Sequence, residues 1–114
     1  MTSKPCLFCR IAAQETPATI IARNDLALAF DDINPQAPTH VLIIPISHFD
    51  NVGELAVSDS QSLQAVFSLA REIAQTRDLL GYRTVFNTGE AAGQSVFHAH
   101  LHLLGGRALQ WPPG

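Results

Sequence analysis

Phe97-His98-Ala99-His100-Leu101-His102-Leu103-Leu104 is the stretch on which the reading of this chain turns. In an extended strand side chains alternate between two faces. His98, His100 and His102 then share one face, while Phe97, Ala99, Leu101 and Leu103 form an apolar face turned to a core. Three imidazoles about 7 Å apart from one to the next each need a hydrogen-bond partner, and all titrate near neutral pH. A lone histidine on a strand is usually a packing residue; three in strict alternation point to chemistry. Two chemistries suit them. His-x-His supplies a pair of zinc ligands. An imidazole nitrogen is also a good nucleophile toward phosphorus once a hydrogen bond to its other nitrogen fixes the tautomer.

Working outward, the strand is expected over Val96 to Leu104, closed by Gly105-Gly106. Before it, Asn87 to Ser95 forms a loop with glycines at 89 and 93. Its flexible backbone, the free N–H at Gly93 and the Ser95 hydroxyl suit a phosphate. Further upstream, Arg83 to Asn87 reads as a strand. Leu63, Val66, Phe67, Ala70, Ile73 and Ala74 recur at helical spacing, which predicts a helix over 59–79. Ser58 with Gln61 resembles a capping box, and Gly81 suits the position past the helix end. Val41 to Ile44 is a continuous apolar run, hence a strand covered on both faces and stopped by Pro45. Asp31 to Pro38 is a loop. Thr19 to Ala22 and Leu26 to Phe30 read as strands joined by a turn at Asn24-Asp25. Phe8, Ile11 and Ala12 mark a short helix over Phe8 to Gln14, ended by Pro17. Gln110 to Gly114 suits neither helix nor central strand. The whole predicts an α+β fold, with a mostly antiparallel five-stranded sheet, one long and one short helix, and the helices on one face.

The chain has 114 residues, read as a single domain over 1–114. Charged residues make up 15%, against roughly 25% in an average soluble protein. Net charge is −3, which disfavours a nucleic-acid-coating role. The high aliphatic content disfavours disorder. No stretch approaches the roughly 18 apolar residues of a membrane span. Met1 to Lys4 followed by Pro5 lacks the apolar core of a secretion signal, so the expected location is cytoplasmic.

Cys6 and Cys9 form a C-x-x-C pair. Three readings stand: half of a zinc site completed by histidines elsewhere, two buried thiols on the first turn of a helix, or a redox pair. The redox reading lacks the preceding strand that such motifs use.

His98-Ala99-His100-Leu101-His102-Leu103-Leu104 resembles the signature of the histidine triad (HIT) superfamily of nucleotide hydrolases and transferases. The similarity extends from Phe8 to Gly114. Phe30 to His40 resembles the family's nucleoside-binding loop. Gly93-Gln94-Ser95-Val96, Gly105-Gly106-Arg107 and Trp111-Pro112-Pro113-Gly114 resemble its Hint (histidine triad nucleotide-binding protein) branch. His102 stands where the galactose-1-phosphate uridylyltransferase branch has Gln.

The resemblance implies a purine nucleoside phosphoramidase. His100 would attack the α-phosphorus of an adenosine 5′-phosphoramidate and form a nucleotidyl-histidine that water hydrolyses to the monophosphate. His102 would contact the phosphate and leaving group. Ser95, with the backbone of Gly93 and the amide of Asn87, would hold the phosphate and help protonate the leaving amine. Asp32 would accept hydrogen bonds from the ribose, beside a base slot lined by Phe8, Ile11 and Ile33. Without the resemblance Asp31 and Asp32 read equally as a solvated loop pair. The resemblance also implies a homodimer with one ten-stranded sheet, formed through the long helix and a central strand. Trp111 would then reach toward the partner's site, or else plug its own tail. No cofactor is needed for catalysis. The Cys pair departs from eukaryotic Hint proteins and matches bacterial relatives, in which Cys6, Cys9, His48 and His98 would form a structural zinc site. Without zinc, His48 and His98 would hydrogen-bond each other and brace the nucleophile. His40 is assigned a capping or packing role. The competing readings are a dinucleoside polyphosphate hydrolase, a nucleotide-binding regulatory module, and a zinc enzyme with three converging histidines.

Overall fold

Residues 39–45 are buried at every position, and this strand is the centre of the fold. The computed structural model describes residues 6–114, so the expectation for Met1 to Pro5 lies outside the described residues. Five strands, β1 (Ile20–Arg23), β2 (Ala27–Asp31), β3 (Thr39–Pro45), β4 (Tyr82–Phe86) and β5 (Leu101–Gly105), form one sheet in the order β1-β2-β3-β5-β4. Every neighbouring pair is antiparallel. Three α-helices, α1 (Leu7–Ala12), α2 (Val52–Ser58) and α3 (Ser60–Thr76), complete the regular structure with a short 3-10 turn at Glu90–Ala92.

The apolar run of β3 is explained by helices on both sides, not on the one side expected. On one face Val41 and Ile43 pack with Leu101, Leu103, Ala27 and Ala29 against Val66, Leu69, Ala70 and Ile73 of α3. On the other, Leu28, Phe30, Leu42 and Ile44 pack against Phe8 and Ile11 of α1. A strand sandwiched in this way loses its polar alternation.

The long helix is shorter than predicted and is preceded by another. Asp59 divides them. Its backbone N–H closes α2 onto the Leu55 carbonyl. Its carboxylate caps α3, accepting the Ser62 N–H at 3.2 Å and the Ser62 hydroxyl at 2.7 Å. The cap is therefore Asp59 and not Ser58. At the other end α3 stops at Thr76, and Asp78 (φ 52°) takes the left-handed turn that the sequence suggested for Gly81. The hairpin turn is as expected: Asn24 Oδ1 accepts the backbone N–H groups of Leu26 and Ala27 at 3.0 and 2.8 Å. Pro45 does not stop β3 but is its last residue.

The histidine strand begins later than predicted. β5 starts at Leu101, paired with Ile43 on one side and Phe86 on the other. Upstream the backbone is committed elsewhere. The Ala99 N–H donates to the Phe49 carbonyl at 2.7 Å, and the His98 carbonyl accepts from the His100 ring at 2.8 Å. Phe97, expected in the core, is half exposed.

Leu103 is fully buried against α3, whereas Leu80 is fully exposed. Leu103→Ala is expected to cost about 2–5 kcal/mol. Leu80→Ala should stay within about 0.5 kcal/mol. Urea denaturation followed by circular dichroism compares the two.

Candidate active site and metal centre

β3 and β5 bring four imidazoles onto the α1 face of the sheet or just beyond its end. His102 lies opposite Leu42 in the ladder, and His40 lies two residue pairs away, on the same face. The rings of His100 and His102 are 5.0 Å apart, and Phe8 of α1 meets His100 edge-on, also at 5.0 Å. His100 Nδ1 is 2.8 Å from the His98 carbonyl. A carbonyl only accepts, so Nδ1 carries the proton and Nε2 keeps the lone pair. Burial lowers the His100 pKa, and burial with the neighbouring His100 and His40 rings lowers that of His102 to about 4. Both rings are therefore neutral near pH 7, as a nitrogen nucleophile and its partner require.

His40 is the residue whose role the sequence hid. It was expected only to cap or pack. Its Nε2 lies 2.9 Å from His102 Nδ1 and 3.4 Å from Asp32 Oδ2. Its Nδ1 accepts the Gln36 backbone N–H at 3.0 Å. Nothing local marks it, because its ring partner lies 62 residues away in sequence.

A cavity of about 860 Å³ opens beside these rings, lined among others by Phe8, Ile11, Phe30, Asp32, Ile33 and Ser95. Its wall is largely apolar, with the carboxylates of Asp31 and Asp32 at one edge. Ile33 is fully exposed, so it forms an open rim of the slot. Asn87, Gly93, His100, His102 and Trp111 do not line this cavity. Trp111 is exposed and plugs nothing among the described residues. Asp32 is fixed through Oδ1, which accepts the Asn34 N–H at 2.8 Å.

The loop before the histidines is less flexible than expected, because Gln94 is buried within it. The Gln94 carboxamide accepts the Gly89 N–H at 2.8 Å and donates to the Asp50 and Val96 carbonyls at 2.6 and 3.1 Å. Gly89 and Gly93 both take positive φ, which glycine adopts without strain. Ser95, just beyond Gln94, is exposed at the cavity wall.

On the other side of Phe8, Cys6, Cys9, His48 and His98 converge, with all four donor atoms within 4.8 Å of one another. Cys6 Sγ and Cys9 Sγ lie 3.5 and 3.4 Å from His98 Nδ1, and Cys9 Sγ lies 3.2 Å from His48 Nδ1. A tetrahedral zinc at ordinary bond lengths sets such edges at roughly 3.5 Å. Both histidines offer Nδ1 and donate Nε2–H outward, His98 to the Pro45 carbonyl at 2.8 Å and His48 to Asp50 Oδ1 at 3.0 Å. This outer hydrogen bond is what fixes a ligating imidazole. Burial lowers the His98 pKa to about 4, which keeps the ring in the neutral, ligating form. The C-x-x-C pair straddles the start of α1, with the Cys9 N–H donating to Cys6 Sγ at 3.3 Å. The donor set thus fits a zinc ion. His48 and His98 stack edge-on at 4.9 Å, but both their ring N–H groups point away from each other.

A second hollow, of about 780 Å³, is lined by Arg77, Arg83 and Arg107 near the C-terminal segment. These guanidinium groups are already engaged: Arg83 with the Gln110 carbonyl, Arg107 with those of Gln36 and Ala108, and Arg77 with the Thr39 hydroxyl.

The lowered His102 pKa sets the sign of a pH effect. Between its ordinary value of 6.5 and the folded value near 4, the unfolded chain binds more protons at this ring. Its contribution to stability is whole above 6.5 and is lost as pH falls toward 4. His102→Gln should therefore lose less stability than the wild type over that interval, measured by denaturant midpoints at each pH.

No helix among the described residues is long and apolar enough to cross a membrane. The HIT domain family model matches residues 13–109. An uncharacterized HIT-like protein of Synechococcus elongatus is 46% identical over 113 residues, covering 98% of this chain and 99% of its own length. A 14 kDa zinc-binding protein of Zea mays is 42% identical over 118 residues, covering all of this chain and 91% of its own. Among solved structures, a HIT family hydrolase from Legionella pneumophila superposes with a TM-score of 0.91 at 50% identity, covering 96% of this chain and 99% of that one. A HIT family hydrolase from Clostridium thermocellum gives 0.89 at 44% identity, with 96% of each chain covered. With its alternating histidines, its five-stranded antiparallel sheet and a family match across most of its length, the chain belongs to the HIT-domain family.

Proposed function

We propose that the chain is a nucleoside phosphoramidase of the Hint branch, acting on adenosine 5′-phosphoramidates. The observation that carries this reading is the state of His100: neutral, with Nδ1–H held by the His98 carbonyl and the Nε2 lone pair unengaged by it. Nε2 attacks the α-phosphorus, and the P–N bond to the leaving amine breaks as the new bond to His100 forms. The amine departs with a proton passed through the Ser95 hydroxyl. Water then cleaves the nucleotidyl-histidine, replaces that proton and releases the monophosphate. His102 contacts the phosphate oxygens. Gly93 and Asn87 hold the phosphate through backbone and amide. Asp32 takes the ribose hydroxyls, and Phe8, Ile11 and Ile33 enclose the base. His98, a ligand and support, does not react.

His100→Ala is expected to reduce turnover of an adenosine 5′-phosphoramidate by at least about a thousandfold, with an unchanged circular dichroism spectrum. Turnover near the wild-type rate would overturn the reading. Comparing that substrate with a dinucleoside polyphosphate separates the two hydrolase branches. Nucleotide binding without any turnover would mark a regulatory module.

The Cys₂His₂ donor geometry supports a structural zinc held by Cys6, Cys9, His48 and His98, which would tie α1 to the sheet end. Purified protein is expected to carry one zinc per chain by elemental analysis. Cys9→Ser should lose the metal and lower the Tm, and a stoichiometry near zero in the wild type would exclude the site. β4 is an edge strand with Tyr82 half exposed, and Phe67 of α3 stacks on Phe86 beside it at 6.0 Å. Both features support a homodimer through α3 and β4, with Trp111 reaching the partner's site.

A further inference from the structure

Asp32, His40 and His102 form a second cluster whose donor atoms fall within 4.8 Å of one another, as at the cysteine site. Its hydrogen bonds give it a different character. The Gln36 N–H donates to His40 Nδ1 at 3.0 Å, so that nitrogen must hold a lone pair. The proton of a neutral His40 is then on Nε2. That Nε2–H faces His102 Nδ1 at 2.9 Å and Asp32 Oδ2 at 3.4 Å. A proton on His102 Nδ1 would set two N–H groups against each other at 2.9 Å. His102 Nδ1 therefore accepts, and the His102 proton sits on Nε2. No partner among the described residues holds that Nε2–H.

We propose that His40 is a positioning residue that sets the tautomer of His102, so that His102 meets the substrate as an Nε2–H donor and not as a base. The kinetic part of this proposal rests on the phosphoramidase reading; the tautomer part does not. The same proton order closes the cluster to a metal, because His40 Nε2 has no lone pair to offer while Gln36 occupies Nδ1.

Gln36 is itself held in place. Arg107, two residues past the end of β5, donates from both Nε and a terminal nitrogen to the Gln36 carbonyl, each at 3.1 Å. Gly106 has φ 88°, and a side-chain carbon there would come within 2.9 Å of Pro38. The turn after β5 thus lies directly on the loop that feeds its N–H to His40. The strand carrying His102 and the loop orienting it are clamped together.

The test is long-range ¹H–¹⁵N correlation NMR on ¹⁵N-histidine-labelled protein at neutral pH, without substrate. Both His40 and His102 should show the pattern of the Nε2–H tautomer. His40→Gln, whose amide can donate from the place of Nε2, should keep His102 in that state. His40→Phe should release it into a mixture. With the phosphoramidate, His40→Phe should lower kcat by about tenfold or more at little change in KM, and His40→Gln should restore most of the loss. A wild-type His102 bearing its proton on Nδ1, or added zinc erasing both Nε2–H signals, would overturn the proposal. Because the spectra need no substrate, failure of the hydrolase reading would leave the tautomer assignment standing.

Discussion

The register between β3 and β5 is the constraint on which the rest depends. Val41 faces Leu103, and Ile43 faces Leu101, on the side closed by α3. Because side chains alternate with a period of two, a slip of one residue would carry His102 into the α3 core and Leu101 and Leu103 out of it. The apolar layer therefore fixes the polar one. Burial on the α3 side contributes the free energy, and the imidazoles on the opposite side inherit their positions from it.

That arrangement explains why a buried cluster of histidines is tolerated at all. An unpaired buried imidazole would cost the desolvation of its N–H and of its lone pair. Here His98 spends Nε2 on Pro45, His100 spends Nδ1 on the His98 carbonyl, and His40 spends both nitrogens. The partners are largely backbone groups, which do not titrate. The site is thereby kept neutral by burial and ordered by carbonyls and amides, with the Asp32 carboxylate close to its centre.

Much of this was legible in the residues. The period-two alternation placed the leucines and histidines on opposite faces, and the helical spacing of Val66, Ala70 and Ile73 located the long helix. The C-x-x-C pair and His48 with His98 came together as the resemblance implied. What escaped was set by partners distant in sequence. Nothing near Leu101 says that the Ala99 N–H will turn to Phe49, so alternation alone extends the strand too far upstream. Asp59 can end one helix and cap the next only where α2 packs as it does, and α2 itself is too weakly patterned to stand out. The short α1 reads as lying on the same face as the long helix, because its packing against Leu28, Phe30 and Ile44 on the opposite face cannot be seen in its own residues. His40 sits before an apolar run, where a packing role is the ordinary expectation; only its contact across the sheet gives it another.

The ring of Phe8 is shared between two centres. It stands edge-on to His98 at 6.1 Å and to His100 at 5.0 Å, so one aromatic side chain is a wall common to the cysteine cluster and to His100. α1, which carries Phe8, has only six residues, far fewer than an isolated helix needs to persist. The free energies of substitutions at Cys6 or Cys9 and at His100 are consequently coupled: a double-mutant cycle across Phe8 will not sum to its parts. The two centres, separate in composition and in chemistry, are one thermodynamic unit.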